Sequence, residues 1–99
     1  MEALNIPLKK FLTNPIHIKS ESIDFKTAKQ IATQKARELF SDPMLLAWYQ
    51  AKTGEYTPKT ECAAGDKPAW IVYAESRGGD ITIDINDEEY IFIYKSNPK

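Results

Sequence analysis

The chain has 99 residues, of which 42% are hydrophobic and 27% are charged, and its formal net charge is −1. This composition is typical of a folded globular protein and excludes an intrinsically disordered chain. The length fits a single domain over residues 1–99, with no room for a second hydrophobic core. Nucleic-acid binders usually carry a basic excess that neutralises phosphates, and this chain lacks one, so we expect no nucleic-acid partner.

Apolar runs and cysteine usage bear on the location of the protein. The apolar runs all fall short of the roughly 18 residues that span a membrane, so we expect no membrane partner. The N-terminal segment makes a poor signal peptide because Lys9 and Lys10 interrupt it. Cys62 is the single cysteine and cannot form an internal disulfide. A reducing cytoplasm is therefore the expected location.

Residues 1–19 combine two prolines with scattered apolar side chains. Within them, the alternating sequence PIHIK at residues 15–19 predicts a short strand, and Pro15 suits its first position or a sheet edge. His17, the only histidine, alternates with two isoleucines and is expected to point outward. We interpret the rest of this segment as an arm laid over the core.

The clearest predicted helix lies between residues 22 and 42. Asp24 or Ser22 can cap its first turn, because a side-chain oxygen there accepts from a free backbone N–H group. Three- and four-residue spacing gives an apolar stripe formed by Phe25, Ala28, Ile31, Ala32, Ala36, Leu39 and Phe40. The opposite face is basic and polar, with Lys26, Lys29, Gln30, Thr33 and Arg37. This face is typical of a solvated surface, and it could also meet nucleic acid or an acidic partner.

A second helix is predicted over residues 41–54. Ser41 or Asp42 can serve as its cap, Pro43 fits the first turn, and Gly54 fits the end. The apolar content of this segment is also compatible with an extended structure. Residues 55–68 then predict a long loop, of a length that is often functional or mobile.

From residue 69 onward the hydrophobic period falls to two, which predicts three strands in an antiparallel meander over residues 69–95. Gly78 and Gly79 suit a tight hairpin turn between the first two strands, and the sequence NDEE at residues 86–89 suits the second turn. The predicted fold is therefore α+β. It has an N-terminal arm or short strand, one or two helices on one sheet face, and three strands that the N-terminus could extend to four.

This hairpin register predicts the inward face of the sheet, which holds Trp70, Val72, Ala74, Ile81, Ile83 and Ile85. The third strand depends on the second turn. An even number of turn residues turns Tyr90, Phe92 and Tyr94 inward, and an odd number reverses this. We favour the even number because three-residue loops prefer glycine at their last position, where this chain has Glu88.

The outward face of the predicted sheet is too apolar to be solvated. In the favoured register it holds Ile71, Tyr73, Asp84, Ile91 and Ile93. Burying each large apolar side chain contributes about 1.5–3 kcal/mol, so something should cover this face. The candidates are the N-terminal arm, a second copy of the chain, or a ligand. The sequence therefore predicts an interaction surface here, for a protein partner or a homodimer.

Residues 36–94 resemble a family of small proteins of unknown function from anaerobic bacteria and archaea. The resemblance rests on the positions of Trp48, Tyr49, Cys62, Trp70, Tyr73, Ala74, Gly78 and Gly79. None of these positions forms a catalytic signature, so the resemblance implies no functional residue.

Catalytic and metal-binding patterns are weak in this sequence. Cys62 could be a reactive thiol if a nearby cation lowered its pKa, with His17 as a base, yet no third orienting group is identifiable. Residues 84–89 begin like a calcium loop but lack its glycine and its final glutamate. One cysteine and one histidine fall short of a zinc site. We therefore predict no catalytic residue, no metal site and no cofactor.

Two hypotheses for function follow from these patterns. The first is a binding or assembly module that acts through the outer sheet face. The second is a small thiol-dependent enzyme or factor centred on Cys62. The sequence leaves enzymatic activity open and favours the first hypothesis, because paired catalytic groups are missing.

Overall fold

The computed structural model describes residues 11–12, 14–21, 23–58 and 68–96. They form two helices and five strands, which confirms the predicted α+β class. In chain order the elements are β1 (Pro15–Ile18), α1 (Phe25–Leu39), β2 (Met44–Gln50), β3 (Glu55–Thr57), α2 (Ala69–Ser76), β4 (Ile81–Ile85) and β5 (Tyr90–Lys95). Neither described helix has the length and apolar content of a membrane-spanning segment.

The strands form one mixed sheet in the order β1-β4-β5-β2-β3. β1 runs parallel to β4, with Ile16 opposite Ile83, and the other neighbouring pairs are antiparallel. The N-terminal segment thus adds an edge strand that begins at Pro15, as the sequence predicts. Since β1 pairs with a strand near the other end of the chain, the order of strands in the sheet differs from a simple meander.

Helix α1 confirms the predicted cap and the predicted apolar stripe. Asp24 is the N-cap residue, and its Oδ1 accepts a hydrogen bond from the Thr27 amide at 2.8 Å. Ala28, Ala32 and Ala36 are fully buried against the sheet. Their small side chains let the helix backbone lie close to β4 and β5.

The face of the sheet beneath α1 carries the first core cluster. It contains Ile81, Ile83, Ile85, Tyr90, Phe92 and Tyr94, all buried. Ile85 lies opposite Tyr90, so four residues form the turn between β4 and β5. The prediction of an even turn is therefore correct. Three non-glycine residues of that turn have positive φ angles, namely Asn86, Asp87 and Glu88.

The prediction of a helix over residues 41–54 is wrong, and the extended alternative is correct. Strand β2 lies between β5 and β3, so both of its edges are paired. Ala47 faces one core cluster and Trp48 faces the other, which gives this strand apolar side chains on both sides. A strand covered on both faces has a continuous apolar run, which a short helix can share. Gly54, with φ +76°, lies in the turn to β3.

The prediction of a strand over residues 69–76 is also wrong, because these residues form α2. The carbonyl of Pro68 accepts hydrogen bonds from the amides of Ile71 and Val72, both at 3.1 Å, and starts the helix. Gly78 and Gly79 follow its end and do not form a hairpin turn. The predicted pairing of residues 72–76 with β4, and the inward face shared by Trp70, Val72 and Ala74 with β4, are wrong for the same reason.

Helix α2 covers the second face of the sheet. The second core cluster contains Ala47, Trp70, Ile71, Ala74, Ile91 and Ile93. Phe11 and Leu12, from the predicted N-terminal arm, pack against it. Residues 1–10 lie outside the described part of the chain, as do residues 59–67 of the predicted loop. The sheet face that the sequence predicts as outward is therefore buried, mainly beneath helix α2 of the same chain.

Candidate functional site

The predicted interaction surface on the outer sheet face is not open. Ile71, Asp84, Ile91 and Ile93 are each at most 3% exposed. Tyr73 is half-buried, and the guanidinium of Arg77 lies 5.0 Å from the centre of its ring. Since α2 packs on this face, four of these five residues contribute to the core and are not available to a partner.

The predicted reactive thiol, Cys62, lies outside the described residues. Within the described ranges, no three histidine, cysteine, aspartate or glutamate side chains are grouped so that they could hold a metal ion. Elsewhere in the described chain, two groups of polar side chains are candidates for a functional site.

The first group lies on the exposed side of α1, opposite its buried alanines. Five residues there line an open depression of about 420 Å³, and we call them the α1 basic surface: Lys29, Gln30, Thr33, Gln34 and Arg37. Their spacings of three and four residues place them along one helical face. Four of these five residues belong to the polar face predicted from the sequence. The fifth is Gln34, and the predicted Lys26 does not line the depression.

The charges of the α1 basic surface are uncompensated within the described chain. Lys35 and Glu38 form an ion pair at 3.7 Å one turn away, but no described carboxylate pairs with Lys29 or Arg37. At its centre, the hydroxyl oxygens of Thr33 and Tyr94 lie 3.0 Å apart. Burial raises the pKa of Tyr94, while the Thr33 hydrogen bond and the charge of Arg37 act in the opposite direction. This surface can therefore offer two cations with hydroxyl and amide groups between them.

The second group is a pair formed by His17 and Asp84, which lie opposite each other in the parallel register of β1 and β4. Asp84 is fully buried, and its Oδ1 accepts a hydrogen bond from the Glu88 amide at 2.6 Å. Its Oδ2 lies 3.2 Å from Nδ1 of His17, whose side chain is 57% exposed. That contact lacks hydrogen-bond alignment, so Oδ2 has no hydrogen-bond partner among the described residues, and neither has the buried hydroxyl of Thr82.

Sequence reasoning named His17 and Asp84 separately and missed the pair. Asp84 was assigned to the outward sheet face, which is correct for its side of β4. The parallel pairing of β1 with β4 brings the two together, and no local pattern in the sequence indicates a parallel pairing between distant segments.

A family model described as "Domain of unknown function (DUF5619)" matches residues 13–94. The chain belongs to this family. The DUF5619 chain is also 38% identical, over 65 residues, to an uncharacterised protein of Archaeoglobus fulgidus. That match covers 66% of this chain and 64% of the relative's length. The resemblance noted in the sequence is thus confirmed.

A solved structure shares the DUF5619 fold. The crystal structure of the novel protein AF1514 from Archaeoglobus fulgidus aligns with a TM-score of 0.75 and 24% sequence identity. The alignment covers 89% of this chain and 99% of that one. At this identity the likeness concerns the fold alone. It therefore carries no argument about the α1 basic surface or the His17–Asp84 pair of this DUF5619 domain.

Proposed function

We propose that this DUF5619 domain is a binding module, and that its α1 basic surface docks an acidic segment of a partner protein. The observation that carries the proposal is the depression between Lys29 and Arg37, whose charges have no described carboxylate partner. A protein surface that leaves two cations beside a concave, hydrogen-bonding area attracts anionic groups. The outer sheet face no longer serves as the binding surface, because α2 covers it.

The spacing of the two cations supports an extended acidic segment as the occupant. Lys29 and Arg37 are two helical turns apart, which is about 12 Å at 1.5 Å per residue. Acidic side chains four residues apart on an extended chain are separated by about 13 Å. Such a segment could place one carboxylate on each cation, and the Arg37 guanidinium can bind a carboxylate through two parallel hydrogen bonds. Thr33 and the glutamines lie between these ends.

A nucleic acid is less well supported as the partner. The formal net charge of −1 gives the chain no overall attraction for a phosphate backbone. A protein partner requires only a local match of charge, which the α1 basic surface offers. The single cysteine supports a cytoplasmic location for this interaction.

The test is a titration of the isotopically labelled chain with a hexaglutamate peptide, followed by NMR at low salt. We expect the amide resonances of α1 to shift, and the double variant Lys29→Glu, Arg37→Glu to lose the shifts. The matched control is Lys19→Glu, Lys52→Glu, which changes the net charge equally at exposed sites elsewhere. Equal loss in both double variants would mean that binding follows net charge and not this surface. Stronger shifts with a single-stranded DNA oligonucleotide would make the partner class wrong.

A second candidate function is a thiol-dependent activity centred on Cys62, with His17 as its base. It gains support from Asp84, because a buried carboxylate beside His17 is the kind of orienting group that such a base needs. We expect Cys62→Ser to leave the melting curve and the peptide titration unchanged. Faster alkylation of Cys62 by iodoacetamide in the wild type than in His17→Gln at neutral pH would favour the thiol-dependent activity instead.

A further inference from the structure

The His17–Asp84 pair has the geometry of an imidazole held by a buried carboxylate. The two residues come from different ends of the chain and meet through the β1–β4 register. The Glu88 amide fixes Oδ1 of Asp84, so the carboxylate cannot turn away from His17 without losing that hydrogen bond. Oδ2 has no hydrogen-bond partner among the described residues, and Nδ1 of His17 lies 3.2 Å from it.

Keeping a carboxylate in this position is energetically unfavourable unless it has a partner. Asp84 is fully buried, as is Thr82 two residues before it on the same strand. Breaking up a buried charged pair is strongly destabilising, but replacing the whole pair by apolar residues is often neutral or stabilising. The Glu88 amide accounts for Oδ1 of Asp84, but stability alone gives little reason for Oδ2 to lie buried beside an edge-strand histidine.

The exposure of His17 makes the other side of its ring available. Its side chain is 57% exposed, and with Nδ1 turned toward Asp84, Nε2 is the nitrogen that a molecule from solution can reach. A carboxylate that accepts the Nδ1 proton fixes the tautomer in which Nε2 carries a lone pair. Contacts of this kind are often long or poorly aligned before a substrate binds, which agrees with the imperfect alignment here.

We propose that His17 is a nucleophilic imidazole, positioned by Asp84, that transfers acyl groups from activated esters to water. The Nε2 lone pair forms a C–N bond to the acyl carbon, and the ester C–O bond breaks as the leaving alkoxide departs with its electron pair. Asp84 stabilises the positive charge on the ring through Nδ1–H. Water then attacks the acyl carbon, the C–N bond breaks, and one proton of that water passes through the solvent to the departed alkoxide. The carboxylic acid and the free imidazole are released. The sum is ester and water giving acid and alcohol.

The chain offers a clean test because His17 is its only histidine. The probe is p-nitrophenyl acetate with the full chain, and the rate lost in His17→Gln is the rate that His17 supplies. We expect this rate to exceed that of a peptide of residues 14–20 at equal concentration by at least about tenfold, which is below the roughly 100- to 10,000-fold that well-positioned catalytic groups supply. The peptide has the same histidine without Asp84. The control Lys52→Gln, on the turn between β2 and β3, should keep the wild-type rate.

Asp84→Asn separates positioning from mere stabilisation of the fold. We expect it to lower the His17-dependent rate to that of the peptide, and the ¹⁵N spectrum of the single imidazole to lose the Nδ1–H tautomer. A folded Asp84→Asn protein with the wild-type rate and tautomer would overturn the role of Asp84. If this variant does not fold, the comparison of wild type with peptide still decides, because equal rates would overturn the proposal.

Discussion

The indole ring of Trp70 lies parallel to the phenol ring of Tyr49, with centroids 5.4 Å apart and an interplanar angle of 1°. Trp70 is on α2 and is 3% exposed, and Tyr49 is on strand β2, next to the central strand β5. Stacked aromatic pairs of this kind contribute about 0.5–1.5 kcal/mol beyond the burial of their area. This contact therefore anchors the short helix α2 to the sheet.

Truncating Trp70 should release that anchor. We expect Trp70→Ala to lower the free energy of unfolding by about 3–5 kcal/mol, through lost burial and the cavity left behind. Urea denaturation measures this change. The control is Tyr73→Ala on the same helix, where the side chain is only half-buried and should cost clearly less. Equal losses in the two variants would contradict the packing of α2 on β2.

Two neighbouring residues of β4 should respond in opposite ways to substitution. Ile83 is fully buried in the cluster beneath α1, so Ile83→Ala should cost about 2–5 kcal/mol. Thr82 is equally buried on the other face, but its hydroxyl lacks a hydrogen-bond partner in the described chain. Thr82→Val keeps the shape and removes an unsatisfied group, so it should leave stability unchanged or raise it by up to about 2 kcal/mol.

Thr33→Val is the matched control for Thr82→Val. The Thr33 hydroxyl lies 3.0 Å from that of Tyr94, so the same substitution there should cost about 0.5–1.5 kcal/mol. Chemical denaturation of the three variants gives the comparison. A clear loss of stability in Thr82→Val would mean that its hydroxyl has a partner in solution.

The elements that the sequence predicts well are those with a long or strictly alternating pattern. Helix α1 has four turns of apolar spacing and an aspartate cap, and period-two alternation predicts the strands β4 and β5, although the inward face of β5 also depends on the length of the turn before it. The short apolar runs at residues 44–50 and 69–76 have neither a long helical spacing nor a strict alternation that would distinguish a helix from a strand. A strand buried on both faces and a helix buried on most sides have the same composition, so tertiary contacts decide between them.

Of the two candidate sites, one could be predicted from a local sequence pattern and the other could not. The basic face of α1 follows from helical spacing and is visible in the sequence. The His17–Asp84 pair requires the parallel contact of β1 with β4, which depends on how the whole sheet assembles. A pair of glycines is also compatible with two structures, because positive φ angles are common both after the end of a helix and in a hairpin turn.

Gly79 should tolerate no side chain for a steric reason. A Cβ atom there would lie 2.8 Å from the carbonyl oxygen of Ala74 and 3.0 Å from Cγ2 of Ile93. Both Gly79→Ala and Gly79→Asn should therefore cost about 1–3 kcal/mol, as overpacking does. Thermal unfolding measures the loss.

Gly54 is the matched control because its constraint is conformational. It has φ +76° and open space around the Cβ position. Gly54→Ala should cost about 1–2 kcal/mol, whereas Gly54→Asn should cost much less because asparagine tolerates this conformation. If asparagine rescued stability at both positions, the close contact between Gly79 and the end of α2 would be wrong.

Stability should fall at alkaline pH because of two buried tyrosines. Burial raises the pKa of Tyr94, and burial together with the charges of Glu89 and Asp24 raises the pKa of Tyr90. The unfolded chain then loses these protons at lower pH than the folded chain. The contribution of each tyrosine is complete below the unfolded pKa of about 10 and is lost as pH rises through the folded pKa.

Urea denaturation between about pH 9 and about pH 11.5 tests this dependence. We expect the free energy of unfolding to decrease less steeply in Tyr94→Phe than in the wild type, and least steeply in the double variant with Tyr90→Phe. Tyr94 also contacts the Thr33 hydroxyl and Tyr90 donates to the Ile23 carbonyl, so the variants lose a constant amount at all pH values. An unchanged slope in the double variant would contradict the assignment.

The burial of the outer sheet face bears on the oligomeric state of the protein. Ile71, Ile91 and Ile93 are covered by their own chain, so they give no reason for a second copy to bind there. Leu39 and Met44 are the large apolar side chains that the described chain leaves exposed, at 44% and 56%. Single exposed apolar residues are common on monomeric proteins. We therefore expect a monomer at concentrations of tens of micromolar, measured by light scattering.

Variants locate any association that does occur. Tyr73→Lys and Met44→Lys alter one half-buried and one exposed side chain, and each should leave a folded monomer. Ile71→Lys should unfold the chain, because it places a charge in the second core cluster. A wild-type dimer that dissociates only in Tyr73→Lys would place an interface on α2, and one that dissociates only in Met44→Lys would place it at the start of β2. Either outcome would contradict the prediction of a monomer. The first would support the sequence-based hypothesis of a contact surface on this side of the sheet.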